Sequence, residues 1–328
     1  MMNAESEVLL EVRDLKKHFP VRGGVFGRVS GQVRAVDGVS FSLRRGTTLG
    51  LVGESGSGKT TVGRTVLGLH AKTAGQVLFQ GRDVHALGTA QLKALRPRMQ
   101  LVFQYPYGSL NPRLRVGDAI GEALLEHGMA AAADVRERVL EVMHICGLAS
   151  YHYERYPHEF SGGQLQRIGI ARALALKPDL IVADEPVSAL DVSIQAQIIN
   201  LFSDLKEEQG VTFLFISHDL AVVEHLCDDI AVMYLGVIVE RAPRDALFAH
   251  PLHPYTEALL SAIPLADPDA PRQRIVLQGE LPSPAQPPDG CRFHGRCPRA
   301  QAACAQVEPS LRDLGDGHFV ACHLHGAL

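Results

Sequence analysis

The chain lacks a basic excess. Across its 328 residues the formal net charge is −4, which excludes a dedicated nucleic-acid binder while leaving local patches open. It lacks a long apolar run: the longest after the first glycine-rich turn, residues 230–239, falls well short of the roughly 20 residues needed to cross a bilayer, and Gly236 interrupts it. Its start, Met1-Met2-Asn3-Ala4-Glu5-Ser6-Glu7, lacks the basic-then-apolar order of a secretory signal. A cytosolic protein is therefore expected, with any membrane association made through a partner. Internal repeats and long heptad runs are absent as well, and the six cysteines include no Cys-x-x-Cys pair. In a cytosolic chain these cysteines argue against a disulfide framework.

What is present suffices for a real core plus an appendage: 46% of residues are hydrophobic. Seven of the 19 prolines precede residue 241 and twelve follow it, so the reading divides the chain into domains 1–240 and 241–328. Before the boundary, short apolar runs at 99–103, 180–183 and 211–216 read as buried parallel strands alternating with amphipathic helices. A helix over 193–208 places Ile194, Ile198, Leu201, Phe202 and Leu205 on one face. The fold class is α/β with a parallel sheet core and ligands at the carboxyl ends of the strands. The Pro-rich stretch 281–288 and the Gly-rich, basic stretch 22–34 read as loops.

The apolar run Leu49-Gly50-Leu51-Val52 passes directly into Gly53-Glu54-Ser55-Gly56-Ser57-Gly58-Lys59-Thr60, followed by Thr61 and a helix expected over 59–69. This is a phosphate-binding loop. Its glycines let successive N–H groups face one anion, the helix start adds positive potential, Lys59 reaches the β- and γ-phosphates, and the Thr60 hydroxyl can hold Mg²⁺. A buried strand ends later in Asp184-Glu185-Pro186. A turn there can give the two carboxylates different tasks, Asp184 holding Mg²⁺ through water and Glu185 polarising the attacking water; an acidic strand end without such roles is the alternative. After the run 211–216, Ser217-His218-Asp219 can point an imidazole at a γ-phosphate, or serve structure alone. Ser161-Gly162-Gly163-Gln164, opening an alanine-rich helix through Leu176, reads as a second anion site or as a simple N-cap. One triphosphate scarcely needs two such sites, so the second is expected to cover a nucleotide held by another subunit.

In combination these segments resemble the ATP-binding cassette (ABC) transporter ATPases. The resemblance identifies residues 53–60 as that family's Walker A loop, Phe160 to Gln164 as its signature and residues 180–185 as its Walker B strand. It further implies a Q-loop glutamine at Gln104 that aligns water and reaches Mg²⁺, a D-loop at Ser188-Ala189-Leu190-Asp191 with Asp191 at the nucleotide, and a switch histidine at His218. The adenine-stacking aromatic corresponds to Phe19, for which core packing is the alternative. The signature opens with Phe160 where leucine is common. A finer resemblance, to the ATPase subunits of dipeptide and oligopeptide importers, rests on residues 102–112, Tyr156-Pro157-His158, His253-Pro254-Tyr255-Thr256 and Gly279-Glu280-Leu281-Pro282-Ser283-Pro284. The second ATPase type of the dipeptide importer is the nearest likeness, and nickel or another small solute is the alternative cargo.

The resemblance implies a second, related ATPase subunit, two integral membrane permease subunits and an extracytoplasmic peptide-binding protein as partners. It also implies a peripheral position on the cytoplasmic face of the inner membrane, with residues 104–116 docking on the permease. A soluble ABC-type mechanical ATPase is the rival, but such proteins carry two cassettes or a long coiled coil. Cys146 and Cys227 read as buried structural residues. Cys291, Cys297, Cys304 and Cys322 crowd the tail with five, six and seventeen residues between them, a set suited to an iron–sulfur cluster, structural zinc or free thiols. His294, His318, His323 and His325 lie near enough in sequence to replace a thiolate. Among these options the resemblance implies a [4Fe–4S] cluster.

Overall fold

The computed structural model describes residues 7–23, 28–263 and 274–326. The chain forms two compact units: one holds Val8–Leu43, Leu49–His85 and Ser217–Leu328, and the other is built mainly from Arg44–Thr48 and Ala86–Ile216.

The first unit contains an antiparallel sheet of β1 (Val8–Gly23), β2 (Arg28–Arg44), β4 (Ala74–Phe79) and β5 (Arg82–Asp83), in the order β2-β1-β4-β5. Leu10 stands opposite Phe79 and Val12 opposite Val77, and all four are buried, so one face is apolar. The stretch 22–34, which reads from sequence as a loop, is strand at both flanks; residues 24–27 lie outside the described ones. Pairing satisfies this backbone whatever the side chains are, which is why glycine and charge concealed it.

A second sheet in this unit runs β11 (Arg312–Asp313), β12 (Phe319–Val320), β10 (Val237–Pro243), β9 (Asp229–Tyr234), β3 (Thr48–Val52). It is mixed and not purely parallel. β3 and β9 are parallel, with Val52 beside Val232, whereas β9 and β10 are antiparallel. The two-residue turn Leu235-Gly236, with φ of 43° and 86°, makes that reversal. The apolar run 230–239 is therefore two paired strands folded at Gly236. The unit also holds α1 (Lys59–Val66), α7 (Leu220–Leu226), α8 (Arg244–Ala249) and α9 (Pro254–Ser261). Helix α1 stops three residues before the expected Leu69. Gly68 takes φ 65° and Leu69 N–H turns back to Arg64 O at 2.8 Å, a glycine-dependent end.

Few apolar residues hold the tail to this unit. Phe293 is buried, with its ring 5.2 Å from Tyr234 and 5.4 Å from Tyr255. Arg292 donates to Leu235 O at 2.7 Å and Asp37 at 2.6 Å. Glu240, fully buried, accepts from Leu252 N at 2.7 Å, His253 N at 2.9 Å and His318 Nε2 at 2.7 Å.

In the other unit β6 (Met99–Val102), β7 (Leu180–Asp184) and β8 (Thr212–Ser217) are parallel in the order β8-β7-β6. β7 and β8 are buried at every position, as uninterrupted apolar strands covered on both faces must be. Three of this unit's helices, α3 (Val116–Glu126), α4 (Val135–Ile145) and α5 (Gly162–Leu174), pack on one another, and α2 (Thr89–Leu95) precedes β6. α6 (Val192–Gln209) buries Ile198, Leu201, Phe202 and Leu205, with Ile194 half-buried, and ends where Gly210 takes φ 64°. Phe202 meets Phe213 and Phe215 edge-on at 5.4 and 5.7 Å.

Glu240→Ala removes one buried acceptor from three donors. It should cost about 3–5 kcal/mol and expose the tail to protease, read by urea denaturation and limited proteolysis of the full chain, with Glu240→Gln recovering part of the loss.

Candidate functional site

Residues 53–60 leave β3 and enter α1 as an arch that only glycine permits at two points. Gly53 and Gly58 have φ of 150° and 107°; a Cβ on either would sit 2.1 Å from a carbonyl oxygen, of Met233 and Ala35 respectively. Gly236 N–H donates to Ser57 O at 2.9 Å. The Lys59 ammonium, buried, donates to Gly53 O at 2.7 Å and Glu54 O at 2.9 Å, which places the one cation of the loop at its centre. Thr60 and Thr61 are half-buried in the first turn of α1, and Ser55 and Gly56 are exposed. An arch of this kind, a glycine-rich turn at a helix start with a lysine folded over it, is suited to an anion.

Two residues far along the chain brace this loop, and sequence reasoning assigned neither to it. Glu54 N–H donates to Tyr255 Oη at 2.8 Å, and Arg296 forks onto both oxygens of Glu54 at 2.7 and 3.0 Å. The Glu54 carboxylate, followed by the Tyr234 hydroxyl, holds the Arg296 guanidinium charged well above the ordinary arginine range despite its burial. Burial pushes the Tyr255 phenol upward, so it serves as a neutral hydroxyl. Separations of more than 200 residues give no local signal for either contact. Phe19 is half-buried and outside the core; its ring meets His70 edge-on at 5.6 Å and Lys17 Nζ at 4.6 Å. His218 is exposed, immediately before Asp219, which caps α7 by accepting from Ala221 N at 2.9 Å.

In the other unit Asp184 is the last residue of β7 and is buried. Glu185 leaves the strand at φ 49°, in the left-handed region that non-glycine residues avoid. That turn separates two consecutive carboxylates. Gln104 Nε2 donates to Glu185 Oε2 at 3.1 Å and to Ser188 Oγ at 3.0 Å. The Q-loop, Walker B and D-loop segments thus meet at three side chains, and the bridging position of Ser188 is not evident in the sequence. Gln166 is also unannounced: it donates to Phe103 O at 3.2 Å, holding the strand end beside Gln104. Asp191 is the exposed residue before α6, and Gln195 donates to Val187 O and Leu190 O within the same turn.

Ser161 N–H donates to Gln164 Oε1 at 3.1 Å and Ser161 Oγ accepts from Gln164 N at 3.4 Å, so the motif is a capping box at the head of α5. The N-cap reading of the segment is the one seen here, and Ser161 and Gly162 beside it are exposed. Gly163 is buried, and a Cβ there would lie 2.4 Å from Ile194 Cγ2. Phe160 is buried against His152 at 5.1 Å, a packing reason for an aromatic at the first signature position.

None of the six cysteines is paired in a disulfide. Cys146 and Cys227 are fully buried, as expected, and burial pushes the Cys146 thiol up to about 12. Burial also pushes Cys291 up to about 11, and Cys304, Cys322 and Cys297 are near enough to add to that rise. Burial likewise raises Cys297 and Cys322. Among the described residues no group of three or more His, Cys, Asp or Glu side chains is placed to hold a metal ion. The tail thiols suit iron or zinc in their donor chemistry, yet their arrangement is not an assembled ligand set.

An ABC transporter family model matches residues 36–188, and one for the C-terminal region of oligopeptide/dipeptide transporters matches residues 239–304. The chain is 54% identical to the oligopeptide transport ATP-binding protein AppF of Bacillus subtilis, covering 99% of this chain and 100% of that protein. It is 52% identical to the dipeptide transport ATP-binding protein DppF of Escherichia coli, over 96% and 93%. Among solved structures it resembles the ATP-binding cassette MJ0796, described as dimeric and bound to ADP and Pi, with 27% identity and a TM-score of 0.64 over 72% of this chain and 98% of that one. The capped signature helix, the glycine arch and the consecutive carboxylates at the end of β7 thus coincide with full-length likeness, and the chain belongs to the ABC transporter ATP-binding proteins of the oligopeptide/dipeptide importer family.

Proposed function

We propose that this protein hydrolyses ATP to drive uptake of di- and oligopeptides through a separate membrane permease, bound peripherally at the cytoplasmic face of the membrane. The observation that carries the peptide reading is likeness along almost the whole chain to peptide-transport subunits, tail region included. Among the described residues no helix is long and apolar enough to cross a membrane, consistent with a permease supplied by other chains. Phe103, Tyr105 and Tyr107, 41%, 64% and 53% exposed, lie in or beside residues 104–116 and offer the permease an aromatic surface. An extracytoplasmic binding protein would deliver the peptide.

In this reading Lys59 and the loop N–H groups hold the phosphates, with Phe19 against adenine, and Thr60, Gln104 and Asp184 hold Mg²⁺, which neutralises the phosphate charge. Glu185 takes the proton of the attacking water, which Gln104 and His218 align. These roles rest on motif identity and on the local geometry around each residue. Glu185→Gln should keep ATP affinity and lose about 10²–10⁴-fold in turnover, whereas Lys59→Ala should lose affinity itself. Titration with a fluorescent ATP analogue beside phosphate-release assays separates them, and equal loss of affinity in both would contradict the assignment.

The exposed head of α5, at Ser161 and Gly162, is proposed to face the nucleotide of a second, related ATPase subunit, with Asp191 at the same junction. Isolated chain should then hydrolyse poorly, with activity falling faster than concentration on dilution. Linear activity from a monomer verified by light scattering would refute the arrangement.

Residues 241–328 are proposed as a C-terminal extension in which Cys291, Cys297, Cys304 and Cys322 ligate a [4Fe–4S] cluster. Four soft donors in one Pro-rich segment support this reading by their chemistry. A cluster would cross-link a segment with little core of its own. Anaerobically purified protein should be brown and hold about four irons per chain, and Cys297→Ser should bleach it. Stoichiometric zinc without iron would replace the cluster with a zinc site.

A further inference from the structure

Glu54 is the sole carboxylate within residues 53–60, a loop whose chemistry is to gather a polyanion. Its backbone is fixed on two sides: its N–H donates to Tyr255 Oη and its carbonyl accepts from Lys59 Nζ. Its side chain meets Arg296 through two parallel bonds, the bidentate geometry that orients a carboxylate as well as neutralising it. The arginine side chain is 9% exposed and the glutamate 31%. Arg296 Nε is buried with no acceptor among the described residues. The guanidinium thus leaves one donor unsatisfied while both terminal nitrogens face Glu54, and its orientation is set by that carboxylate. Tyr234 lines the same place, with its ring 5.8 Å from the guanidinium carbon.

Without this cation a negative charge would stand one residue from Gly53 in the anion-binding arch. Repulsion between like charges falls only with the first power of distance and is strengthened by partial burial. Arg296 belongs to the tail turn His294–Arg296, directly before Cys297, so the contact joins the cysteine-bearing segment to the phosphate loop.

We propose that Arg296 is a positioning residue for nucleotide binding: it neutralises Glu54 and holds its carboxylate away from the phosphates, so that ATP affinity depends on the docked tail. The inference rests on residues 53–60 being the ATP phosphate site.

The test uses the full chain and titration with Mg²⁺ and mant-ATP. Arg296→Ala should raise Kd about tenfold, equivalent to about 1.4 kcal/mol, and Arg296→Lys, which keeps charge but not the fork, should raise it less. Adding Glu54→Gln to Arg296→Ala should restore affinity to that of Glu54→Gln alone, the non-additivity expected of a directly coupled pair. A merely structural arginine would not be rescued by changing Glu54. A double variant as weak as Arg296→Ala overturns the proposal, as does an Arg296→Ala protein that binds normally while Lys59→Ala does not. Should Arg296→Ala fail to fold, the same comparison is made with Arg296→Lys and Arg296→Lys/Glu54→Gln. Normal binding by Lys59→Ala would instead overturn the phosphate-loop reading, and this inference with it.

Discussion

The close approach of two carbonyl oxygens to the phosphate loop is the constraint from which the first unit's site follows. Met233 O of β9 and Ala35 O of β2 press against Gly53 and Gly58 at distances that exclude any side chain. The arch is therefore shaped from outside by two different sheets, and its own residues only permit the shape. Gly236 N–H on Ser57 O adds a third outside contact. Lys59 then folds over carbonyls whose positions those contacts fix. A loop held in this way needs little rearrangement to present its N–H groups, the condition for strong anion binding at a helix start.

The other unit applies a different device to a related end. β7 is buried throughout and terminates in Asp184, so the next residue must leave the sheet. Glu185 does so in a backbone conformation that costs about 1–3 kcal/mol for a residue with a side chain. Its N–H on Ile216 O at 2.9 Å, together with Gln104 and Ser188, offsets that strain. The strained turn places two adjacent carboxylates in different surroundings, and this local arrangement suits the family's hydrolytic chemistry.

The tail shows how a segment poor in apolar residues is kept in place. One buried ring, Phe293, the pairing of β12 with β10 and a few polar side-chain contacts from Arg292, Arg296 and His318 tie it to β10, the β9–β10 turn and the phosphate loop. Because these are specific polar contacts and not a broad apolar face, they couple the tail to particular partners, Asp37, Glu54 and Glu240.

Local signals were sufficient wherever the physics is local. The glycine spacing before Lys59, the apolar strands ending at Asp184 and Ser217, the buried face of α6 and the serine-led cap of α5 all depend on residues within a few positions of one another. The mixed sheet, the long strands flanking residues 24–27, the early end of α1 and the reversal at Leu235-Gly236 were less legible, since pairing partners and φ values are not written in composition. The meeting of Gln104, Glu185 and Ser188, and the clasp of Tyr255 and Arg296 on Glu54, were decided only by the tertiary structure. Hydrogen bonds across 81, 84, 201 and 242 residues have no sequence period to announce them. The sequence by itself determined which groups could meet phosphate, because backbone freedom and side-chain chemistry are properties of single residues and short spacings. Which distant residues restrain those groups depended on the folded chain, because only packing brings separated donors and acceptors within hydrogen-bonding distance.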